Sequence, residues 1–361
     1  MLKLWKNCDV YAPARLGRRD ILVLGDKIHL VEPDLSSWEA LPGVETLDLN
    51  GAAVCPGIVD MHVHVTGGGG EQGPTSRVPE IRMSELVANG VTTVLGLLGT
   101  DGVSRSLENL LFKCRALEEE GVTTRMLTGC YCFPSPTLTG DVMRDIALID
   151  KAIGVKLAIS DHRSSGVTGE ELARLATQTR IGGMLSGKPG IVILHVGASK
   201  RRLRPLFEAM ELSDVPPQNF VPTHCCRSPE LVAEAVRFNK MGGTIDFTAD
   251  MPGSVAGTAA ALCSALNQGA DPARVTMSSD GGGSMPAFDE NGSCVRLTYS
   301  TPATLLYELR RMVSREGLAL ETALRFFTEN PARVIGLAGV KGVVAPGADA
   351  DLLALDGGLR V

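Results

Sequence analysis

Eight short apolar runs, separated by longer amphipathic stretches, most constrain what this chain of 361 residues can fold into. The runs begin near residues 57, 92, 124, 154, 190, 220, 243 and 274. Each is too short to form a helix by itself and is rich in β-branched residues, as is typical of buried parallel strands. Helical amphipathicity marks the intervening residues 106–121, 169–185 and 228–243. The alternation predicts an α/β protein with a (β/α)8 TIM-like barrel, and a doubly wound sheet is the alternative.

The two ends of the chain differ in pattern from the region between them. The first 50 residues contain short strand-like runs broken by turns, and residues 342–356 have the same character. We therefore expect both termini to build one small β-sandwich domain beside the barrel. The predicted limits are 1–56 and 336–361 for the two parts of the β domain and 57–335 for the barrel.

Charge and composition exclude several classes of function. Lys and Arg total 35 against 41 Asp and Glu, which gives a net charge of −6 and disfavours nucleic acid or an anionic membrane surface as partner. The chain contains no uncharged apolar run long enough for a membrane span, and its N-terminus lacks the apolar segment of a signal peptide. Nine cysteines without a CxxC pair are typical of a reducing compartment, so a cytoplasmic location is predicted.

Histidines cluster at the predicted strand ends. His62 and His64 are two residues apart on the first strand, so their side chains share one face and could bind a divalent metal ion. His195 and His224 lie near the ends of the fifth and sixth runs, and Asp280 ends the eighth. In a barrel these ends form the face on which active sites are built. Structural histidines and a helix-capping aspartate, the alternative, would be scattered without regard to strand ends.

A lysine within the fourth run is unusual. Lys156 is flanked by Val155 and Leu157, and a lysine in a buried strand is unfavourable unless it is neutralised or paired. Desolvation would lower its pKa, and the free amine could take up CO2 as a carbamate whose two oxygens could bridge two metal ions. Alternatively, the side chain extends to solvent or pairs with Asp161. The residues themselves leave both interpretations equally open.

The order His-x-His, Lys, His, His and Asp along the strands resembles the amidohydrolase superfamily with a binuclear metal centre. Within that superfamily the chain is similar to the isoaspartyl dipeptidase family, from the N-terminal strands to about residue 355. The motifs are specific in combination rather than singly. They are PGIVDMHVHVTGGGGEQGP, GLLGTDG, GCYCFP, GVKLAISDHRSS, ILHVG, PTHCCRSPELV and MSSDGGGSMP.

The resemblance implies a metal centre with two divalent metal ions, for which zinc is the expected metal. It also implies that CO2 converts Lys156 to N6-carboxylysine. His62, His64 and Asp280 would hold one ion, and His195 and His224 the other. Carboxylated Lys156 and a hydroxide would bridge the two ions. The family likeness also makes Asp280 and Tyr131 catalytic: the carboxylate would move the proton of the nucleophile to the leaving amine, and the phenol would stabilise the oxyanion. Without the family likeness, Tyr131 could simply be a tyrosine that packs at the end of a strand.

A substrate site follows from the same resemblance. Glu71 would pair with the free ammonium of the substrate, although a flexible linker carrying an incidental glutamate is the alternative. Arg163 and Arg227 would bind its carboxylates, as bidentate guanidinium groups can. The complete set of implied substrate-binding residues is Gly69, Gly70, Glu71, Thr100, Tyr131, Arg163, Arg227 and Ser284.

The implied activity is metal-dependent hydrolysis of the β-aspartyl bond of isoaspartyl dipeptides by a bridging hydroxide, which is the reaction of a metallopeptidase. Two alternatives remain: a cyclic amide hydrolase of the dihydroorotase or hydantoinase kind, and a metal-free, non-catalytic barrel scaffold. The expected partners are the small-molecule dipeptide and further copies of the chain in a homo-oligomer, with no nucleic acid or membrane. Because family members continue for some tens of residues beyond the position of Val361, the resemblance also implies that the β domain is truncated here.

Overall fold

The computed structural model describes residues 1–251, 257–288 and 294–361. Its strands are β1 (Leu2–Tyr11), β2 (Arg15–Leu24), β3 (Lys27–Glu32), β4 (Val44–Asp48), β5 (Ala53–Pro56), β6 (Ile58–Val63), β7 (Val91–Gly96), β8 (Thr123–Gly129), β9 (Ala152–Ile159), β10 (Ile191–Val196), β11 (Phe220–Thr223), β12 (Ile245–Thr248), β13 (Val275–Ser278), β14 (Ser284–Phe288), β15 (Cys294–Tyr299) and β16 (Leu352–Leu355). Its helices are α1 (Met83–Val87), α2 (Leu107–Glu119), α3 (Val142–Leu148), α4 (Gly169–Ser186), α5 (Arg204–Glu211), α6 (Pro229–Lys240), α7 (Thr258–Asn267), α8 (Ala303–Ser314), α9 (Leu320–Arg325) and α10 (Glu329–Val334).

The eight predicted strands form the barrel, as β6 to β13. Strands β6 to β11 are hydrogen-bonded in chain order as a parallel sheet, and β12 pairs in parallel with β13. Backbone hydrogen bonds join these two groups, from Cys225 N to Asp246 O at 3.1 Å and from His64 N to Gly281 O at 2.8 Å. The α/β barrel prediction is therefore confirmed, and the alternative doubly wound sheet is wrong.

One end of the barrel is closed by its own core. Buried residues of the barrel strands, such as Val59 and Ile193, cluster with Ala332 of α10 and with Ile335, the residue that follows α10. The Val59 amide also donates to the Phe327 carbonyl at 2.8 Å. Because this end is filled by apolar side chains, the opposite end, where the strands finish, is the one at which polar groups can form a site.

Local sequence signals set where the helices begin. The Ser228 hydroxyl accepts a hydrogen bond from Leu231 N at 3.2 Å, and Pro229 occupies the first position of α6. Thr168 begins α4 in the same way, and its capping box is completed by Glu171. Such caps satisfy amides that the first helical turn leaves unpaired, so these boundaries follow from short-range chemistry.

A mixed sheet brings the two ends of the chain together. In it β1 pairs antiparallel with β2 and in parallel with β4 and β5, and the C-terminal β16 pairs antiparallel with β5. Val10, Ile21 and Val54 pack there against Val344 and Ala348. The terminal strands thus share one sheet and one core, while the limits at 56 and 335 stay predictions. Across the described ranges, no helix has the length and apolarity needed to cross a membrane.

Candidate metal and substrate site

The predicted metal ligands gather at the open end of the barrel. His62 lies on β6 with His64 just beyond its end, Lys156 on β9, and His195 on β10. His224 and Asp280 follow β11 and β13. All six side chains belong to residues that are buried. The structure therefore places together six residues that lie as far apart in the sequence as positions 62 and 280.

Three of these residues form a cluster that is small enough to bind one metal ion, and it is called the metal-sized group below. Ligand atoms of His62, His224 and Asp280 lie within 4.8 Å of one another. Asp280 Oδ1 is also 3.1 Å from His64 Nε2. His224 Nε2 is buried yet has no hydrogen-bond partner in the described part of the chain. A buried ring nitrogen without a partner is unfavourable, so this donor set fits a metal ion.

The protonation of the histidines is compatible with metal binding. Burial is the largest cause that holds the pKa values of His62, His195 and His224 well below 6.5. Nearby cations, including the Lys156 amine, act in the same direction. The rings are therefore neutral, which is the form of imidazole that binds metals.

Lys156 is enclosed completely, so it does not extend to solvent. Its Nζ lies 3.2 Å from His62 Nε2, next to the metal-sized group. Burial lowers the pKa of the Lys156 amine from 10.5 to about 7. A large fraction of the amine is thus uncharged near neutral pH, which is the form that can react with CO2.

Two of the predicted ligands have unusual backbone conformations. His224 has a φ of 66° and Asp280 a φ of 54°, in the left-handed region that residues other than glycine seldom adopt. Tight turns hold them there, with Arg227 N donating to His224 O at 3.3 Å and Gly283 N donating to Asp280 O at 2.8 Å. Strain of this kind persists where surrounding contacts over-determine it, and it concentrates at functional sites.

Three polar residues that the sequence reasoning missed orient two of the histidines. The Thr223 hydroxyl lies 3.2 Å from His62 Nδ1 and donates to Asp246 Oδ2 at 2.7 Å. The Thr248 hydroxyl lies 2.6 Å from His224 Nδ1. Each contact occupies Nδ1 and leaves Nε2 directed at the metal-sized group, as outer partners of metal ligands commonly do. A signal existed in the sequence, because Thr223, Asp246 and Thr248 are polar residues within buried strands.

Both ring nitrogens of His195 contact side chains that are not predicted metal ligands. The Tyr131 hydroxyl is 2.6 Å from His195 Nδ1, and Asp161 Oδ2 is 2.8 Å from Nε2. Its ring centroid is 4.5 Å from that of His224. The structure thus places His195 and Tyr131 beside the metal-sized group, with Asp161 behind them.

A cavity of about 470 Å³ opens above these residues. Most of the predicted substrate-binding residues line it, which are Gly69, Glu71, Thr100, Tyr131, Arg163, Arg227 and Ser284. Gly70, the remaining predicted residue, is not among the lining residues; it connects Gly69 to Glu71 with a φ of 93°. The cavity therefore holds both the predicted charged groups and part of the ligand set, including His64, His195, His224 and Asp280.

Glu71 has a defined position in this cavity. Its Oε1 accepts hydrogen bonds from Thr100 Oγ1 at 3.2 Å, Arg163 Nη1 at 3.2 Å and Ser284 Oγ at 2.8 Å. These partners come from three separate parts of the chain. In the structure, Glu71 is therefore held by specific contacts, unlike an incidental residue of a flexible linker.

A buried arginine supports the loop that carries Glu71. Arg105 donates to the backbone carbonyls of Thr66, Gly68 and Val78, and so joins the two arms of the loop. The arms are so close that a Cβ on Gly67 would lie 2.1 Å from the Val78 carbonyl oxygen. Only glycine fits there, because its φ of 75° is also left-handed. Nothing in the local sequence identified Arg105, since its partners are backbone atoms 27 to 39 positions away.

The two predicted carboxylate-binding arginines lie on the same side of the cavity. Arg163 forms a two-point ion pair with Asp161, with Nε–Oδ1 at 2.9 Å and Nη2–Oδ2 at 3.1 Å. Arg227 Nη1 donates to the Val196 carbonyl at 2.8 Å. Both guanidinium groups are fixed by neighbours yet line the cavity, so an anion could bind them without much side-chain ordering.

Comparison with known proteins agrees with this architecture. The family model described as "Amidohydrolase family" matches residues 53–360. The chain is 45% identical to a β-aspartyl dipeptidase from Fervidobacterium islandicum AW-1, solved in complex with the dipeptide β-Asp-Leu. That match has a TM-score of 0.94 and covers 100% of this chain and 93% of the other.

Curated relatives match over shorter stretches. An imidazolonepropionase of Acinetobacter baumannii is 29% identical over 170 residues, which are 44% of this chain and 40% of the relative. A dihydroorotase of Staphylococcus aureus is 31% identical over 166 residues, which are 44% of this chain and 37% of the relative. These two matches thus span well under half the length of the relatives. The family model, by contrast, matches most of the chain, which therefore belongs to the amidohydrolase family.

Proposed function

We propose that this protein hydrolyses the β-aspartyl bond of isoaspartyl dipeptides in a metal-dependent reaction. The observation that carries this proposal is the placement of Glu71, hydrogen-bonded by Thr100 and Ser284, in one cavity with two arginines and the metal-sized group. The similarity to a β-aspartyl dipeptidase solved with β-Asp-Leu supports it. Hydrolysis is also consistent with membership of the amidohydrolase family.

The charges of the cavity complement those of such a dipeptide. An isoaspartyl dipeptide carries one ammonium and two carboxylates, and the proposed contacts are Glu71 for the ammonium and Arg163 and Arg227 for the carboxylates. In the structure, Arg163 Nη1 is 3.2 Å from Glu71 Oε1. The substrate ammonium would replace that contact and free the guanidinium edge for a carboxylate. Recognition would thus replace the ion pair between Glu71 and Arg163 with three ion pairs to the substrate.

The metal centre would draw on the gathered nitrogen and oxygen donors. We propose two zinc ions, one held by His62, His64 and Asp280 and the other by His195 and His224, with N6-carboxylated Lys156 shared between them. When bound, such ions lower the pKa of a water molecule and polarise the scissile carbonyl. The unpartnered His224 Nε2 and the enclosed Lys156 amine support this assignment.

Two side chains would handle the proton and the developing charge. Asp280 directs Oδ1 at the histidines while lining the cavity, so it could accept the proton of the nucleophile and pass it to the leaving amine. Burial, above all, raises the pKa of the Tyr131 phenol well above its ordinary value of 10. The phenol therefore keeps its proton and could donate a hydrogen bond to the oxyanion.

The cellular location and the oligomeric state of the protein are part of the same proposal. A cytoplasmic location is supported by eight free cysteines among the described residues. A homo-oligomer is supported by apolar side chains near the end of α4, where Met184 and Leu185 are 69% and 71% exposed. Such neighbouring apolar groups often mark contacts between proteins.

An assay with three substrates tests the proposed activity. Purified protein, with its metal content measured on the same sample, would be incubated with β-Asp-Leu, α-Asp-Leu and dihydroorotate. We expect β-Asp-Leu alone to be hydrolysed. α-Asp-Leu is the matched control, because it has the same charges on a different backbone.

The second candidate is a cyclic amide hydrolase, which the match to a dihydroorotase favours. Its substrates lack a free ammonium and would leave Glu71 without a binding partner. Turnover of dihydroorotate without turnover of β-Asp-Leu would overturn the dipeptidase proposal. Protein that binds no divalent metal would support the non-catalytic scaffold instead.

A further inference from the structure

Asp161 lies between the metal ligands and the substrate-binding arginines. It follows β9, one residue after Ser160, whose φ is 55°. Its side chain is only 3% exposed. A buried carboxylate requires several hydrogen bonds to offset its lost hydration, so its partners indicate what it supports.

The two oxygens of this carboxylate contact different parts of the site. Oδ1 accepts hydrogen bonds from the backbone amide and Nε of Arg163, both at 2.9 Å. Oδ2 accepts from Arg163 Nη2 at 3.1 Å and lies 2.8 Å from His195 Nε2. One side chain thus fixes both a predicted substrate contact and a predicted metal ligand.

The contact with His195 determines which ring nitrogen is available. An ionised carboxylate can only accept a hydrogen bond, so the proton of the neutral ring must be on Nε2. The lone pair is then on Nδ1, which in the structure lies 2.6 Å from the Tyr131 hydroxyl. Asp161 therefore turns the basic nitrogen of His195 toward the centre of the site.

The backbone around Asp161 leaves little room for adjustment. A Cβ on Gly197, which follows β10, would lie 2.4 Å from both Cα and Cβ of Asp161. Ser199 N also donates to Ser160 O at 3.0 Å, which ties the segments after β9 and β10 together. The carboxylate is thus held by the scaffold as well as by its hydrogen bonds.

We propose that Asp161 is a positioning residue that couples the metal centre to substrate binding, by orienting His195 and Arg163 through a single carboxylate. This inference rests on the proposed function for its substrate half. It implies that loss of Asp161 weakens metal retention and dipeptide binding together. Loss of Arg163 should weaken dipeptide binding alone.

The test compares Asp161→Asn, Arg163→Met and the double variant with the wild-type holoenzyme. Metal retention is measured by elemental analysis after timed exposure to a chelator, and KM and kcat are measured with β-Asp-Leu. We expect Asp161→Asn to lose metal about tenfold faster or more, and to raise KM about tenfold. Arg163→Met should raise KM but keep its metal. The KM of the double variant should be close to that of Arg163→Met, because Asp161 is hydrogen-bonded to Arg163 whereas Arg227 Nη1 is 3.8 Å from Oδ2, beyond hydrogen-bond distance.

Matched variants separate this role from general destabilisation. Asp145 is another buried carboxylate, but its hydrogen-bond partners are Thr128, Leu138 and Thr139. Asp145→Asn should lower thermal stability without changing metal retention or KM. Asp161→Glu keeps the charge, so its metal retention and KM should be closer to those of wild type than the values of Asp161→Asn. It also provides the test if Asp161→Asn does not fold.

Wild-type metal retention in both Asp161 variants would overturn the proposal, as would fully additive effects of Asp161→Asn and Arg163→Met on KM. Failure of the proposed function is distinguishable. In that case wild-type protein would not hydrolyse β-Asp-Leu, while the metal measurements would still report on Asp161 and His195.

Discussion

Lys156 illustrates how burial changes the chemistry of a single residue. In water its amine would be charged, but complete enclosure lowers its pKa to about 7 and leaves its Nζ 3.2 Å from His62 Nε2. Its neighbours Val155 and Leu157 are also fully buried, so the strand offers no route to solvent. A carbamate at this position would supply the oxygens that the surrounding nitrogen donors lack.

Glu71 permits a sharp test at the same scale. Glu71→Gln keeps the shape of the side chain and its contacts with Thr100 and Ser284 but removes the charge that the substrate ammonium would meet. We expect KM for β-Asp-Leu to rise about tenfold to 100-fold, because a hydrogen bond between charged groups is lost. Metal content should stay unchanged.

The matched control is Glu80→Gln, because the Glu80 side chain is 46% exposed and pairs with Lys113 outside the cavity. It should leave KM unchanged. An unchanged KM in Glu71→Gln as well would remove Glu71 from substrate recognition.

Among the secondary-structure elements, α8 forms a largely buried ion pair with the segment that follows β12. Arg311 of α8 donates to Asp250 Oδ2 at 2.9 Å and lies 3.4 Å from Glu308 Oε2. Asp250 in turn accepts from the amide of Thr258, the first residue of α7. Burial, with the second carboxylate nearby, raises the pKa of Glu308 from 4.5 to about 7.

This contact makes stability depend on pH. Between pH 4.5 and about 7 the folded protein keeps the Glu308 proton while the unfolded chain has lost it, so the free energy of unfolding falls as pH rises through this range. Glu308→Gln removes that dependence. As pH rises from 4.5 to 7.5, we expect the free energy of unfolding of the variant to increase by about 2 kcal/mol relative to that of wild type. Denaturant titrations at both pH values measure this difference.

The control for this prediction is Glu170→Gln, since Glu170 forms an exposed pair with Arg174. Its stability relative to wild type should not change across the same range. A difference between Glu308→Gln and wild type that is equal at both pH values would contradict the raised pKa.

At the scale of the whole molecule, the predicted ligands connect strands from all around the barrel. They come from β6, β9 and β10 and from the segments after β11 and β13. Ions held there would join parts of the chain that are far apart in sequence. Metal binding should therefore stabilise the folded barrel as a whole, because the unfolded chain has no such site.

Metal removal tests this expectation. Chelation should lower the melting temperature by about 3 °C or more, and zinc should restore both stability and activity. Calorimetry with and without chelator measures the shift. In Lys156→Ala the shift should be smaller and activity lost, with partial recovery on addition of a short carboxylate. An equal melting temperature with and without metal in wild-type protein would contradict the proposed centre.

The sequence by itself determined the eight barrel strands and the single face shared by His62 and His64. These features depend on residue periodicity and on contacts within a few positions, which one chain segment carries in full. The order of ligands along the strands also indicated a metal site, because parallel strands in a barrel all end on the same face.

Only the tertiary structure decided how the site is supported. The contact of Thr223 with His62 and the hydrogen bonds of Arg105 to the backbone carbonyls both require segments that are distant in sequence. The shared carboxylate of Asp161 likewise needs β9 and β10 side by side. The physical reason is that a hydrogen bond forms only at about 3 Å, and the packing of the whole barrel sets that distance.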